Sequence, residues 1–343
     1  MITTIHPGLF TTVQDEGRWG YQAFGMPVAG AMDRYAYYAA NILAGNKPAA
    51  AVLEMTLRGG HFRFEADYYV SICGADMQAR LNGTPVKSWS GFLVGAGSEL
   101  VFDYAISGCR TYVAVNGGIN TPVVLGSRST YTRAAVGGID GRALQAGDVI
   151  PIGKDADEES GNPRLLPAEF IPVYRDQIEL RVLLGPQDDY FSETGITTFF
   201  NSTYCISTEA DRMGYRLEGS IIEHKEKADI ISDALCQGAI QVPGHGMPII
   251  MMADRQTTGG YTKIGTVIGP DLSLLAQAKP GDSIVFKKCG EDDAAAAFAL
   301  ERDAYSRLKQ VMAYNEQQPP GPARHFKITV NKQLYHVEIR EVK

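Results

Sequence analysis

No stretch of the 343-residue sequence approaches the roughly 18 consecutive apolar residues that a membrane-spanning helix needs. The longest apolar run, Pro248 to Ala253, has the length of a strand. The opening Met1-Ile2-Thr3-Thr4-Ile5-His6-Pro7 lacks the basic start and apolar core of a secretory signal, so a cytoplasmic location is expected. Lys and Arg are not clustered and the net charge is −7, which argues against a nucleic-acid backbone as partner. The five cysteines (Cys73, Cys109, Cys205, Cys236, Cys289) are scattered and odd in number, with no Cys-x-x-Cys, so buried reduced thiols are expected rather than a disulfide framework. The six histidines (His6, His61, His224, His245, His325, His336) show no metal-ligand spacing, and no metal site is expected. His245, in Pro243-Gly244-His245-Gly246, reads as a turn histidine. The phosphate loop Gly-x-x-x-x-Gly-Lys-Ser/Thr, the dinucleotide fingerprint Gly-x-Gly-x-x-Gly and the hydrolase elbow Gly-x-Ser-x-Gly are all missing.

What is present is the composition of a packed globular protein, 45% hydrophobic and 21% charged, long enough for two cores. The 37 glycines punctuate short β-branched and aromatic runs. Strands are expected at Tyr68–Cys73, Thr111–Asn116, Ile178–Leu184, Ala239–Val242 and Ile249–Met252, the last apolar on both faces. Helices are expected at Met32–Leu43, with Asp33 in the first turn and Gly45-Asn46 beyond the end, and from about Asp292 to Gln317. In the second helix Phe298, Tyr305, Leu308 and Met312 fall near one face, and Pro319-Pro320 ends it. The fold class is mainly β, a β-rich α+β chain with few helices. The polar stretch Lys154–Pro163 reads as a linker. It divides the chain into 1–155 and 156–290, followed by the helix at 291–320 and a hairpin tail at 321–343. A Gly-Asp turn feeding an apolar strand occurs in both halves, at Ala146–Ile152 and Pro280–Phe286. It fits either a duplicated unit or a shared turn type.

Three segments carry chemistry. Met252–Lys263 places Asp254, Arg255, Gln256, Thr257, Thr258, Tyr261 and Lys263 around Gly259-Gly260, directly after the apolar strand. Adjacent glycines permit positive φ and close approach of backbone N–H groups to a ligand. Asp211-Arg212-Met213-Gly214-Tyr215-Arg216 combines an acid, two guanidiniums and a phenol, suited to binding an oxyanion or to a surface ion pair. Gln14-Asp15-Glu16-Gly17-Arg18 and Gly30-Ala31-Met32-Asp33-Arg34 are expected to face each other across the Gly25–Ala29 loop, held by Asp–Arg pairs.

These segments also carry a resemblance. Gln14–Gly20, Gly30–Asp33, Asp211–Leu217, Ala253–Tyr261 and Asp271–Asp282 resemble the motifs of the family that includes 5-oxoprolinase C subunits, KipA and the matching half of the urea carboxylase carboxyltransferase domain. The resemblance spans roughly residues 5–290. It implies two cyclophilin-like β-barrels, with segments that interchange between them. It also implies assembly with a KipI-like B subunit (PxpB) and a LamB/YcsF-like A subunit (PxpA). Together they would convert 5-oxoproline, ATP and water to glutamate, with this chain inactive alone. ATP is then used by the complex, at a site not located in this chain. Met247 and Thr262 depart from the family, which often has Gln and Pro there.

The chemistry expected on that basis is electrostatic. Arg255 and Lys263 bind the anion. Gln256, Thr257, Thr258 and the Gly259 and Gly260 amides polarise the lactam carbonyl, and Asp254 or Tyr261 transfers a proton. Asp211 and Arg212 orient these groups, and with Tyr215 and Arg216 they complete the substrate-binding set. Gln14, Asp15, Arg18 and Asp33 support it. Two alternatives are a carboxyltransferase acting on urea or a related amide with biotin supplied in trans, and a binding module that antagonises a KipI-type kinase inhibitor. The tail hairpin resembles the one that opens biotinyl-carrier domains, but without a Met-Lys-Met acceptor biotinylation of this chain is not expected.

Overall fold

The computed structural model describes residues 1–153, 164–317, 324–330 and 333–339. The first half supplies twelve short strands: β1 (Ile2–His6), β2 (Phe10–Gln14), β3 (Val52–Thr56), β4 (His61–Phe64), β5 (Tyr68–Asp76), β6 (Arg80–Leu81), β7 (Thr84–Pro85), β8 (Ser90–Val94), β9 (Glu99–Val101), β10 (Ser107–Val115), β11 (Val149–Ile150) and β12 (Arg164–Leu165). Helix α1 (Arg34–Leu43) lies between β2 and β3. The strands form two six-stranded antiparallel sheets, ordered β11-β1-β4-β9-β6-β7 and β12-β8-β5-β10-β3-β2. Phe62, Phe64 and Leu100 from one sheet meet Leu53, Val70, Ile72 and Val113 from the other in a common core.

The second half contains β13 (Gln177–Leu184), α2 (Glu193–Asn201), β14 (Thr203–Ile206), β15 (Gly214–Glu218), β16 (Asp229–Ala234), β17 (Ala239–Val242), β18 (Ile249–Met251), β19 (Thr258–Val267), α3 (Gly269–Ala276), β20 (Ser283–Lys288) and α4 (Glu291–Gln317). Seven strands close on themselves in the order β13-β20-β14-β15-β18-β17-β19, because β19 also pairs with β13. β16 extends the sheet beyond β19. The barrel core holds Leu180, Val182, Tyr204, Tyr215, Ile240, Ile250 and Ile284. Ile249 and Met251 of β18 pack on its other face with Leu235 and Ala239, so this strand is covered on both sides, as its apolar run implies. β21 (Arg324–Val330) and β22 (Gln333–Ile339) form the expected tail hairpin. The chain is therefore mostly β, with four α-helices among the described residues. No described helix is long and apolar enough to cross a membrane.

Closure depends on Gly265, which pairs with Leu184. A Cβ there would stand 2.5 Å from Val182 Cγ1 and 2.8 Å from the Leu183 carbonyl oxygen. Gly265→Val is expected to cost about 1–3 kcal/mol through overpacking, measurable as a lower urea midpoint at unchanged slope.

Several expectations are corrected in detail. α1 begins at Arg34, and Asp33 is its N-cap, accepting from Ala36 N. Phe298 is 50% exposed, although Leu308 and Met312 on the same helix are buried against α1. Cys73 and Cys109 are buried thiols, but Cys205 and Cys236 are exposed and Cys289 is half-buried. The echoing Gly-Asp segments lead into different pairings, since β11 runs antiparallel to β1 whereas β20 runs parallel to β13. The stretch Lys154–Pro163, with the expected boundary at 155/156, lies outside the described residues, as do Pro319-Pro320. The first-half sheets take in β12, and Met32 joins the barrel's core cluster.

Candidate functional site

The two halves meet through charge. Gly214 of β15 pairs with Met251 of β18, and Asp254 N continues the ladder to the Arg212 carbonyl at 2.8 Å. This sets the Arg212 guanidinium against the Asp254 carboxylate as a fork, Nε to Oδ2 at 3.0 Å and Nη2 to Oδ1 at 2.9 Å. Arg212 also donates to Glu54 Oε1 on β3 and, at 2.7 Å, to the Gly30 carbonyl. Glu54 Oε2 accepts from Met32 N and from the hydroxyl of Tyr112, the residue opposite it on β10, both at 2.8 Å. Arg110 Nη1 donates to Tyr215 Oη and to the Ala276 carbonyl, both at 2.5 Å. All of these side chains are buried. Burial opposes the Arg212 charge, but Asp254 and Glu54 outweigh it and hold the group above its ordinary value. Burial lifts Asp254 above the usual carboxylate range, and Arg212 offsets only part of that.

The segment after Asp254 follows a different plan from the loop expected of it. From Thr258 onward it is strand β19, and neither Gly259 nor Gly260 has positive φ. Gly259 is small because a Cβ would stand 2.6 Å from Gln241 Nε2. Its polar side chains go to separate partners. Arg255 is 7% exposed and donates to the carbonyls of Leu235 and Met252, both at 3.2 Å. It has no carboxylate within ion-pair distance among the described residues, and burial lowers its pKa. Lys263 is buried and bound to Asp233 at 2.6 Å. Gln256 Oε1 is buried without a partner among the described residues, Thr257 is half-buried, and Thr258 and Tyr261 are exposed. In the second segment only Arg212 and Tyr215 turn inward. Asp211 pairs at the surface with Arg133 at 3.3 Å and Arg216 with Glu209 at 3.4 Å.

The N-terminal segments do face each other, but through backbone: Arg18 N reaches the Val28 carbonyl at 2.6 Å and Ala31 N the Asp15 carbonyl at 3.0 Å. Asp15 binds Ser127 Oγ, Ser129 Oγ and Arg128 N rather than an arginine side chain. Arg18 is fully buried, with Nε on the Val124 carbonyl, Nη2 on the Ser129 carbonyl and Nη1 unpartnered among the described residues. Burial lowers its pKa, and the charges of Asp15 and Asp254 resist that. Gln14 donates to Thr12 Oγ1 and to the Thr130 carbonyl. Ala29 N bonds the Ala253 carbonyl at 3.2 Å, which ties this region to the Asp254 turn.

Asp33 accepts from Gln277 Nε2 at 2.7 Å, and burial pushes its pKa up to about 6 from an ordinary 3.8. For an acid raised in the folded state, the stabilising contribution is complete below about pH 4 and is lost as pH rises through about 6. Relative to Asp33→Asn, the parent is expected to gain about 2–3 kcal/mol between pH 7 and pH 4, read from paired denaturant titrations.

Sequence reasoning missed Glu54, Arg110, Tyr112 and the donor role of Gln277. A signal existed for Glu54, the lone acid inside the apolar run Val52-Leu53-Glu54-Met55. Arg18 and Arg255 are buried guanidiniums without a carboxylate within ion-pair distance among the described residues; Arg18 feels the charge of Asp254, a carboxyl of raised pKa, whereas Arg255 lies against Leu235. Each guanidinium can hold an anionic or carbonyl oxygen, and the carboxyl can accept a proton.

Residues 24–288 match the family described as carboxyltransferase domain, subdomain A and B. The chain is 38% identical over 313 residues to the 5-oxoprolinase C subunit of Escherichia coli strain K12, covering 90% of this chain and 97% of that protein. It is 32% identical over 300 residues to urea amidolyase of Lachancea kluyveri, covering 82% of this chain but 16% of that protein. Its fold superposes on the crystal structure of the K. lactis urea amidolyase with a TM-score of 0.85 at 28% identity, over 90% of this chain and 20% of that one.

Proposed function

The chain belongs to the family of carboxyltransferase domains with subdomains A and B, and from that premise we propose that it is the C subunit of an ATP-dependent 5-oxoprolinase. The observation that carries the reading is coverage: the chain accounts for 97% of the 5-oxoprolinase C subunit from E. coli and only 16% of a urea amidolyase. It works with two partners, a B subunit of KipI type and an A subunit of LamB/YcsF type, and is inactive by itself. In the reaction, water adds its oxygen to the lactam carbonyl carbon, the C–N bond breaks and the nitrogen takes up a proton, giving glutamate. Amide resonance makes the ring resistant, and ATP hydrolysis by the complex supplies the driving force. ATP is a substrate of the assembly, and no site for it is assigned to this chain.

In this reading Arg255 and Arg18 hold oxygens that gain negative charge, and Asp254 handles the proton. Arg212 fixes the direction of Asp254 and bridges it to Glu54. The similarity to urea amidolyase favours one second reading, a carboxyltransferase acting on urea or a related amide with biotin on a partner. The three proteins co-purified are expected to release glutamate from 5-oxoproline only when ATP is present, while this chain alone releases none. Avidin-sensitive carboxylation of urea by the same complex, without glutamate release, would replace the first reading by the second.

A further inference from the structure

We infer that the cleft between the Asp15–Met32 segment, α1 and α4 binds a small molecule that joins a flat ring to an anionic group. The cleft adjoins the proposed site, with Asp15 in its wall and Ala29 bonded to Ala253, but the inference does not depend on the proposed function. None of its lining residues comes from the segment Ala253–Lys263. The cleft measures about 480 Å³, within the range of ~300–1,000 Å³ typical of small-molecule sites. α1 and α4 are joined by phenol rings, with Tyr305 stacked on Tyr35 at 5.7 Å and tilted against Tyr38 at 4.6 Å between ring centroids. Two further rings at the cleft, Trp19 and Phe298, are 54% and 50% exposed. They provide faces on which a planar group can stack.

Charge selects the other end of the ligand. Arg34, Arg302 and Lys309 line the cleft, are exposed and form no ion pair among the described residues. Lys309 Nζ stands 5.3 Å from the Tyr38 ring. Of the acids in the same wall, Asp15 is already engaged by Ser127, Ser129 and Arg128 N, and Glu301 accepts from the Tyr305 hydroxyl at 3.4 Å. Glu16 is the remaining one, so of the charged side chains in the wall without a hydrogen-bond partner among the described residues three are cations and one is an acid.

Tyr37 is the independent sign that a ligand belongs there. It forms part of the wall, is 3% exposed, and its hydroxyl has no partner among the described residues. A buried hydroxyl left unpaired costs about 1–3 kcal/mol, a cost that phenylalanine would avoid. Burial and the nearby charges of Asp15 and Glu16 keep this hydroxyl protonated, so it is a donor. The hydroxyl is sealed from solvent in this structure, so a ligand oxygen reaches it only as the wall opens, and is then the acceptor it lacks.

The test uses the full chain and two fluorescent probes with similar aromatic rings, 8-anilinonaphthalene-1-sulfonate and its uncharged relative N-phenyl-1-naphthylamine. The sulfonate is expected to bind more tightly, and adenosine monophosphate, a ring with a phosphate, to displace it better than inorganic phosphate does. The double variant R302E/K309E should weaken the sulfonate about tenfold and leave the neutral probe unchanged. Tyr37→Phe should weaken it roughly fivefold while Tm stays the same or rises. Equal binding of the two probes, or sulfonate affinity that survives R302E/K309E, marks an unselective apolar surface and overturns the proposal. So does a Tyr37→Phe protein that loses stability but keeps its affinity, because the hydroxyl then serves the fold.

Discussion

Arg212→Met will destabilise the protein by about 3–5 kcal/mol, the largest effect expected of a single substitution here. Met fills much of the same volume but leaves the Glu54 and Asp254 carboxylates buried together without the cation that separates them. Two like charges in a dry seam repel strongly. Adding Glu54→Gln and Asp254→Asn to Arg212→Met removes that repulsion and should recover a large part of the loss. Urea titration of the single and triple variants decides the matter. If the single variant lost less than about 1 kcal/mol, the ion network would not be what joins the two halves.

Arg255→Ala is expected to lower the ATP-dependent release of glutamate by the assembled complex by about 10²–10³-fold, the range for removing one donor from a developing negative charge. Burying a guanidinium without a carboxylate is unfavourable unless an anion visits it. Arg255 is in that position, with only the carbonyls of Leu235 and Met252 for partners among the described residues. Losing those two bonds is expected to cost about 1–3 kcal/mol of stability, so the variant is compared at a temperature where its melting curve is flat. Arg255→Lys keeps the charge without the fork and should fall between parent and Ala. Activity at the parental level in a folded Ala variant would remove Arg255 from the chemistry, whatever became of the assignment to a 5-oxoprolinase.

The existence and type of most elements were legible in the residues. Runs rich in β-branched and aromatic residues, most of them ended by Gly, Pro or Asn, marked β5, β10, β13, β17 and β18, because strand and turn preferences act over a few neighbouring residues. Asp33 announced the start of α1, although as its cap rather than inside its first turn. Gly259-Gly260 read as a loop because glycine loosens any isolated segment. The structure makes them strand, since β16 pairs with β19 there, Asp233 opposite Gly259, and β17 holds the strand further on, from Thr262 to Thr266.

Which side chains meet was decided only by the tertiary structure. Arg212 and Glu54 are 158 residues apart, and no local pattern connects them. Their contact depends on strand register, on the closure of the barrel at Leu184 and Gly265, and on the 28–33 segment crossing to the second half. For the same reason Lys263, an anion-binding candidate by composition, is taken by Asp233, while Arg255, eight positions earlier, keeps a charge without a carboxylate partner among the described residues. Composition determines which charges are available. Packing determines which of them are neutralised internally and which are left for a ligand.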